Sequence, residues 1–144
     1  MLTFKPATVE YCKLLFDWRN DEITRTNSIS SDIIPFENHI KWFNESLKNI
    51  NRKIYIVFDN NTTVGTTRVD IVNKKNIISW TIAPSARGKG YGKLMVKSFV
   101  DMLNGEIIAI IKENNIASIK IAEFAGLKLD NKKNNILTFK LIKK

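Results

Sequence analysis

The order of apolar runs predicts an α/β domain built on a mixed, mostly antiparallel sheet of about seven strands flanked by four helices. Three observations carry this. Seven short apolar or alternating runs have strand length, and four longer segments repeat apolar residues at helical spacing. Three of the strand-like runs also follow one another with only short Asn-, Asp- and Lys-rich turns between them, which makes an antiparallel meander rather than a doubly wound parallel sheet. At 144 residues the chain suits one domain, and no repeat or Pro/Gly/Ser linker divides it, so residues 1–144 are read as a single unit.

Leu2 to Lys5 reads as a short first strand. Tyr11, Leu14, Leu15 and Trp18 recur at helical spacing, giving an amphipathic helix over about Val9 to Arg19. Asn20 to Ile34 is polar and rich in Ser, Thr and Asn, and is expected to form an irregular loop over a site. A second helix follows Pro35, with Phe36, Ile40, Phe43 and Leu47 on one face. Lys53 to Phe58, Thr63 to Val72 and Asn76 to Ile82 form the meander, turned at Asp59-Asn60-Asn61 and Asn73-Lys74-Lys75. A helix from about Tyr91 to Leu103 carries Met95, Phe99, Met102 and Leu103 inward. Ile107 to Ile111 is apolar without alternation, as expected of a central strand covered on both faces. A short helix over Ala117 to Ala125 stops at Gly126, and Leu127 to Leu129 and Ile136 to Ile142 close the chain as two strands around an Asn- and Lys-rich turn.

Composition narrows the function classes. Apolar residues at 44% and charged residues at 26% are those of a globular domain. No apolar run approaches the roughly 18 to 20 residues of a spanning helix, and the start, Met1-Leu2-Thr3-Phe4-Lys5-Pro6, has no leader character, so a cytoplasmic protein without membrane contact is expected. Cys12 is the only cysteine and has no Cys or His at ligand spacing, which excludes a disulfide framework or structural zinc, and no metal is expected. The net charge of +9 is carried by Arg87–Lys97 and Lys120–Lys144. These stretches lack the interleaved aromatics and arginines that stack on bases, so no nucleic-acid partner is expected. Part of the lysine surplus accompanies an abundance of Ile and Asn, residues that share A/T-rich codons.

The stretch Ile82-Ala83-Pro84-Ser85-Ala86-Arg87-Gly88-Lys89-Gly90-Tyr91-Gly92-Lys93 lies between a strand and a helix. Alternating Gly88, Gly90 and Gly92 let the backbone approach a ligand with several N–H groups aimed at one point. The helix mouth, Arg87, Lys89 and Lys93 add positive charge, a combination that receives a pyrophosphate. Two familiar phosphate loops fail on counting. A nucleotide-hydrolase loop needs Gly five residues before Gly92, where Arg87 stands, and Ser or Thr where Leu94 stands. A dinucleotide fingerprint starting at Gly88 needs glycine at position 93, which is Lys93.

The remaining pattern, Arg-x-x-Gly-x-Gly after a strand, resembles the acetyl-coenzyme A loop of the GCN5-related N-acetyltransferases. Asn115-Ile116-Ala117-Ser118, with Phe124-Ala125-Gly126-Leu127 after it, resembles the family's downstream signature, and the element order matches over essentially the whole chain. The resemblance implies that acetyl-coenzyme A is a co-substrate. It implies that backbone groups at Ile82 and Ala83 hold its pantetheine arm, that amides from Arg87 to Lys93 hold the pyrophosphate, and that Asn115 and Ser118 touch the arm from the opposite wall. A helix N-terminal cap is the other reading of Asn115 and Ser118. An amide near Ile82 is expected to stabilise the oxyanion formed when an amine attacks the thioester.

The family pattern also breaks here. The tyrosine that many relatives use to protonate the thiolate is replaced by Ala122, and the strand glutamate by Ile77. Ser79 and Thr81 share the face of Ile77 and are expected to order a water that carries the proton. Asp70, projecting with Arg68 from the neighbouring strand, is the candidate base, with a surface ion pair as the alternative. In the N-terminal third, Trp18-Arg19-Asn20, Arg25, Ser28, His39 and Trp42-Phe43 resemble the subset that acetylates amino groups of nucleotide-linked sugars in nonulosonic-acid pathways, and also the acetyltransferases of ribosomal-protein N-termini. Arginines suit a phosphorylated acceptor and tryptophan a ring, so Arg19, Asn20, Arg25, His39, Trp42 and Arg68 are expected at a small-molecule amine. The other reading is that Trp18, Trp42 and Phe43 fill the core. A degenerate protein that binds the cofactor without catalysis is a further alternative, and a homodimer is left open.

Overall fold

The computed structural model describes residues 1–144. Its strands form one seven-stranded sheet in the order β1-β2-β3-β4-β5-β7-β6. They are β1 (Leu2–Pro6), β2 (Arg52–Asp59), β3 (Thr62–Val72), β4 (Lys75–Ile82), β5 (Gly105–Lys112), β6 (Lys128–Lys133) and β7 (Ile136–Lys143). Only β4 and β5 pair in parallel; every other neighbour is antiparallel. The meander expected from the turn residues is present. Asn73 and Lys74, both at positive φ, make the two-residue turn between β3 and β4.

The helices are α1 (Cys12–Asn20), α2 (Glu22–Asn27), α3 (Phe36–Lys48), α4 (Tyr91–Asp101) and α5 (Ile116–Phe124). Four match the expected ones within a few residues. The fifth, α2, corrects the expected irregular loop over Asn20–Ile34. Asp21 starts it by accepting the N–H of Thr24, satisfying one of the donors a helix N-terminus leaves free. The strand expected at Leu127–Leu129 also runs further, through Lys133, because the turn falls at Asn134-Asn135, both at positive φ. Every residue of β6 is exposed, and its lysines occupy the sheet edge, where charge discourages pairing with another chain. That gives part of the C-terminal basic surplus a structural task.

Two apolar clusters pack the sheet. One joins Val96, Phe99 and Val100 of α4 to Ile107, Ala109, Leu127, Leu137 and Phe139. The other joins Leu15 and Trp18 of α1 and Phe43 of α3 to Ile54, Ile56 and Val57 of β2. Trp18 and Phe43 thus fill the core, whereas Trp42 is 37% exposed. β5 is not covered on both faces along its whole length: Ile110 is exposed, because the strand beside it has turned away there. No helix is long and apolar enough to cross a membrane.

Candidate active site

β4 and β5 stay paired only from Lys75 with Glu106 to Ile78 with Ala109, while β4 keeps its register with β3 as far as Ile82 opposite Gly65. The sheet therefore opens between Ser79–Ile82 and Ile110–Lys112. Antiparallel strands point alternate amides toward each other. The Ala83 N–H donates to the Val64 carbonyl at 2.8 Å, so Trp80 and Ile82 turn their amides away from β3 and into the gap. The Ala83 amide is thus committed to Val64, which leaves the Trp80 and Ile82 amides as those facing the gap. Two cavities, about 600 and 510 Å³, occupy the gap. They meet at Trp80, Thr81, Asn115 and Ser118 beneath Asn27 and Ser28, which line both.

The smaller lobe is walled by Arg87, Gly88, Gly90, Tyr91, Gly92 and Lys93. No amide from Arg87 to Lys93 finds a protein acceptor, so the turn presents a run of free N–H groups at the mouth of an eleven-residue helix. Gly88 and Gly90 hold φ values of +75° and +81°, the left-handed conformation that lets these amides converge. Gly92 serves packing instead, since a Cβ there would stand 2.5 Å from Ile121 Cδ1 of α5. Lys89 is exposed and outside the cavity lining.

Two side chains of this turn have protein partners. Arg87 pairs with the Asp21 carboxylate and donates to Thr24 Oγ1 at 3.0 Å, so it fastens α2 across the cleft. The Arg87 hydrogen bond is the main reason the Asp21 carboxyl is held below the usual carboxylate range, against a smaller opposing effect of burial. The Tyr91 hydroxyl donates to Asp59, which raises the phenol. Tyr91 therefore does not stand in for the absent thiolate acid. Ala122, at the position of that acid, is wholly buried in the core.

On the opposite wall Asn115 caps α5, its Oδ1 accepting from the Ser118 N–H at 3.2 Å, while its amide group donates to the Asn27 carbonyl at 3.5 Å. The cap reading therefore holds for Asn115, and both residues also line the cleft.

The larger lobe collects Arg19, His39, Trp42, Arg68, Ser79 and Thr81 from the expected site residues and adds Asn38 and Lys112. Arg19 donates to the Ser30 carbonyl at 3.0 Å, and its Nη1 is shielded from solvent without a partner. Lys112 reaches the Thr26 carbonyl at 2.9 Å. Its place at the end of β5 gives no sequence signal, because only the splay of β4 turns that end into a cleft wall. His39 is 4% exposed, stacks on Phe43 at 5.9 Å and donates from Nε2 to the Cys12 carbonyl at 2.9 Å. Burial pushes its pKa down, so the ring is neutral at pH 7.

Three expected site residues lie elsewhere. Asn20 exchanges two hydrogen bonds with the Ile34 backbone, both 2.9 Å, and Arg25 donates to the Asn20 and Ser31 carbonyls at 3.1 and 3.3 Å. These residues staple the Ser28–Ile34 segment that roofs the lobe rather than entering it. Asp70 lies outside the lining. Its oxygens engage Arg52 Nε at 2.5 Å and Arg68 Nε at 3.2 Å. Both guanidinium groups also stack over Trp42, at 5.5 and 5.6 Å from its ring centre. Asp70 is thus the ion pair rather than a free base. Ile77 pairs with Ile108 before the strands part, so the glutamate position also falls short of the cleft.

The site joins a run of free amides, a strand with unpaired backbone groups and a second chamber lined with polar side chains. Residues 1–128 match the sequence profile described as the acetyltransferase (GNAT) domain. The chain belongs to this family. It is a GNAT-type N-acetyltransferase, and acetyl-coenzyme A is its co-substrate.

Solved structures share the fold. Spermidine N-acetyltransferase from Vibrio cholerae, in complex with CoA and spermine, superposes with a TM-score of 0.87 at 12% identity, over 99% of this chain and 95% of that one. An aminoglycoside acetyltransferase in complex with coenzyme A gives 0.85 at 16% identity, over 99% and 95%. A ribosomal L7/L12 alpha-N-protein acetyltransferase in complex with coenzyme A gives 0.80 at 14% identity, over 99% and 94%. No curated protein sequence matches the chain. The site residues suit the co-substrate on their own evidence, since seven consecutive unpartnered amides at a helix mouth are what a diphosphate satisfies.

Proposed function

We propose that the enzyme acetylates the amino group of a nucleotide-linked aminosugar. The observation that carries this is the lining of the larger lobe, which holds Arg19, Arg68 and Lys112 and no carboxylate. A polyamine or aminoglycoside acceptor brings several positive charges and calls for acidic residues, whereas a sugar carried on a diphosphate brings the complementary sign. In this reading the amides of Arg87–Lys93 hold the pyrophosphate of acetyl-coenzyme A, and the amides of Trp80 and Ile82 line its pantetheine arm. Bound there, the co-substrate supplies an activated acetyl carbonyl at the junction of the two lobes.

The acceptor nitrogen attacks that carbonyl from the side of Ser79 and Thr81. Negative charge develops on the carbonyl oxygen within reach of an unpaired strand amide, and the thiolate departs. With no tyrosine in position, solvent protonates the thiolate, a group whose ordinary pKa of about 8.5 makes it a competent leaving group. The test is acetyl-coenzyme A-dependent thiol release across nucleotide aminosugars, spermidine, an aminoglycoside and N-terminal peptides. Preference for the nucleotide aminosugars is expected. Preference for a peptide favours the protein N-terminus as acceptor, preference for a polycation removes the aminosugar, and tight cofactor binding without turnover of any amine marks a degenerate protein.

A further inference from the structure

We propose that the acceptor lobe contains no general base and instead takes its amine already deprotonated, so that a field of cations selects amines of low basicity. This rests on the acetyltransferase reading above and extends it to the kind of amine. The lobe's charged lining groups are all cations and come from three of the elements around it, Arg19 from α1, Arg68 from β3 and Lys112 from β5. The elements α2, α3, β2, β4 and α5 contribute no charged side chain to the lining. Behind Arg68, Arg52 and Asp70 complete a cluster that keeps one positive charge uncompensated. Beside Arg19, Arg25 is likewise bonded to carbonyls and not to an acid. Of the acids adjoining the lobe, Asp70 is engaged by two arginines, Asp21 by Arg87 and Glu113 by Lys132, while Asp32 of the roof and Glu37 beside Asn38 are solvent-exposed and outside the lining. His39 is the one lining group that titrates near neutrality, and it is buried, with Nε2 committed to Cys12.

An ammonium ion entering such a chamber meets like charge and loses water, and both disfavour its charged form. The amine therefore gives its proton to solvent before it is bound productively. The neutral nitrogen then forms the C–N bond, the C–S bond breaks, and the second proton leaves nitrogen for the departing sulfur by way of solvent. What the missing glutamate does elsewhere is done here by the choice of substrate. An amine with a pKa of about 8, like an α-amino group, is about one-tenth neutral at pH 7, whereas an alkyl ammonium near 10.4 is neutral only to about 1 part in 2500.

The experiment compares glucosamine 6-phosphate with O-phosphoethanolamine, which pair a phosphate with a weakly and a strongly basic amine, and adds spermidine, which has no anion. kcat/KM is followed from pH 6 to 10 for the parent enzyme and His39→Gln. The expected result is a rising limb that moves with the acceptor's own amine pKa and is retained in His39→Gln. At pH 7, O-phosphoethanolamine should be used about two hundred-fold less well than glucosamine 6-phosphate. A limb fixed for both acceptors and lost in His39→Gln overturns the proposal by making the histidine a base. Spermidine preferred at pH 7 overturns it while leaving an active acetyltransferase. Absence of acetyl-coenzyme A binding by calorimetry would instead bring down the acetyltransferase reading, and this proposal with it.

Discussion

Asp70 and His39 illustrate how a single side chain's role is set by what surrounds it. Asp70 has the chemistry of a base, but its carboxylate is only 18% exposed and spans two guanidinium groups. Asp70→Asn should therefore weaken charge-assisted bonds worth about 1.5–3 kcal/mol, lowering the melting temperature by roughly 3–12 °C. Turnover measured well below that temperature should stay within about threefold of the parent. Loss of a true general base would cost about 10²–10⁴, so a drop of that size would restore Asp70 to the chemistry. His39 makes a different prediction, in pH. Burial lowers its folded-state pKa below the ordinary 6.5, so between those two values the unfolded chain binds more protons and stability rises with pH. Denaturant titrations from pH 5 to 7.5 should show that rise ending near pH 7, and His39→Gln should flatten it. An unchanged slope in the variant would assign the rise to other groups.

At the scale of elements, α1 and α4 were legible because each buries a patterned apolar face, Leu15 and Trp18 in α1 and Met95 and Phe99 in α4. By contrast, α3 buries Phe43 together with His39 and Ser46 and leaves Phe36, Ile40 and Leu47 of its expected face exposed, as Met102 is at the end of α4. The free-amide turn was legible as well from its glycines, of which Gly88 and Gly90 take the positive φ of the turn while Gly92 lies within α4 and makes room for Ile121. Two elements left no such pattern. α2 buries no residue and depends on the Asp21 cap and on Arg87, a partner 66 residues away. β6 is wholly exposed, so no alternation marks it. The residues Asn20 and Arg25 were recognisable as polar and important but not as staples, because their partners are backbone carbonyls up to fourteen residues distant. Asn20→Ala should release the Ser28–Ile34 roof at a cost of about 1–3 kcal/mol, the scale of its two hydrogen bonds. The expected kinetic outcome is an acceptor KM raised about tenfold with acetyl-coenzyme A affinity unchanged. An equal loss of cofactor affinity would show that the roof serves both lobes.

Across the whole molecule, the two apolar clusters are joined through a sheet that parts in the middle, with Trp80 and Phe4 packed against both. Beyond Ile78 no ladder bond links β4 to β5, so the C-terminal end of β4 and the β5 end facing it are held together by side-chain packing and by the α2 strap. A ligand seated in the gap supplies the missing contacts to both walls. Acetyl-coenzyme A at 100 times its dissociation constant should add about 2.7 kcal/mol of stability, which for a chain of this size corresponds to roughly 5–15 °C in melting temperature. The protection should be local in origin: hydrogen exchange should slow most at the Trp80 and Ile82 amides and across Arg87–Lys93, which have no protein acceptor in the structure. Gly90→Ala provides the control. It places a side chain at a φ of +81° in otherwise open space, so it strains the turn by about 1–2 kcal/mol without a clash. It should reduce both the thermal shift and the protection at Arg87–Lys93. Protection by acetyl-coenzyme A that spares those amides in the parent protein would place the diphosphate elsewhere and dissolve the link between the parted sheet and the cofactor.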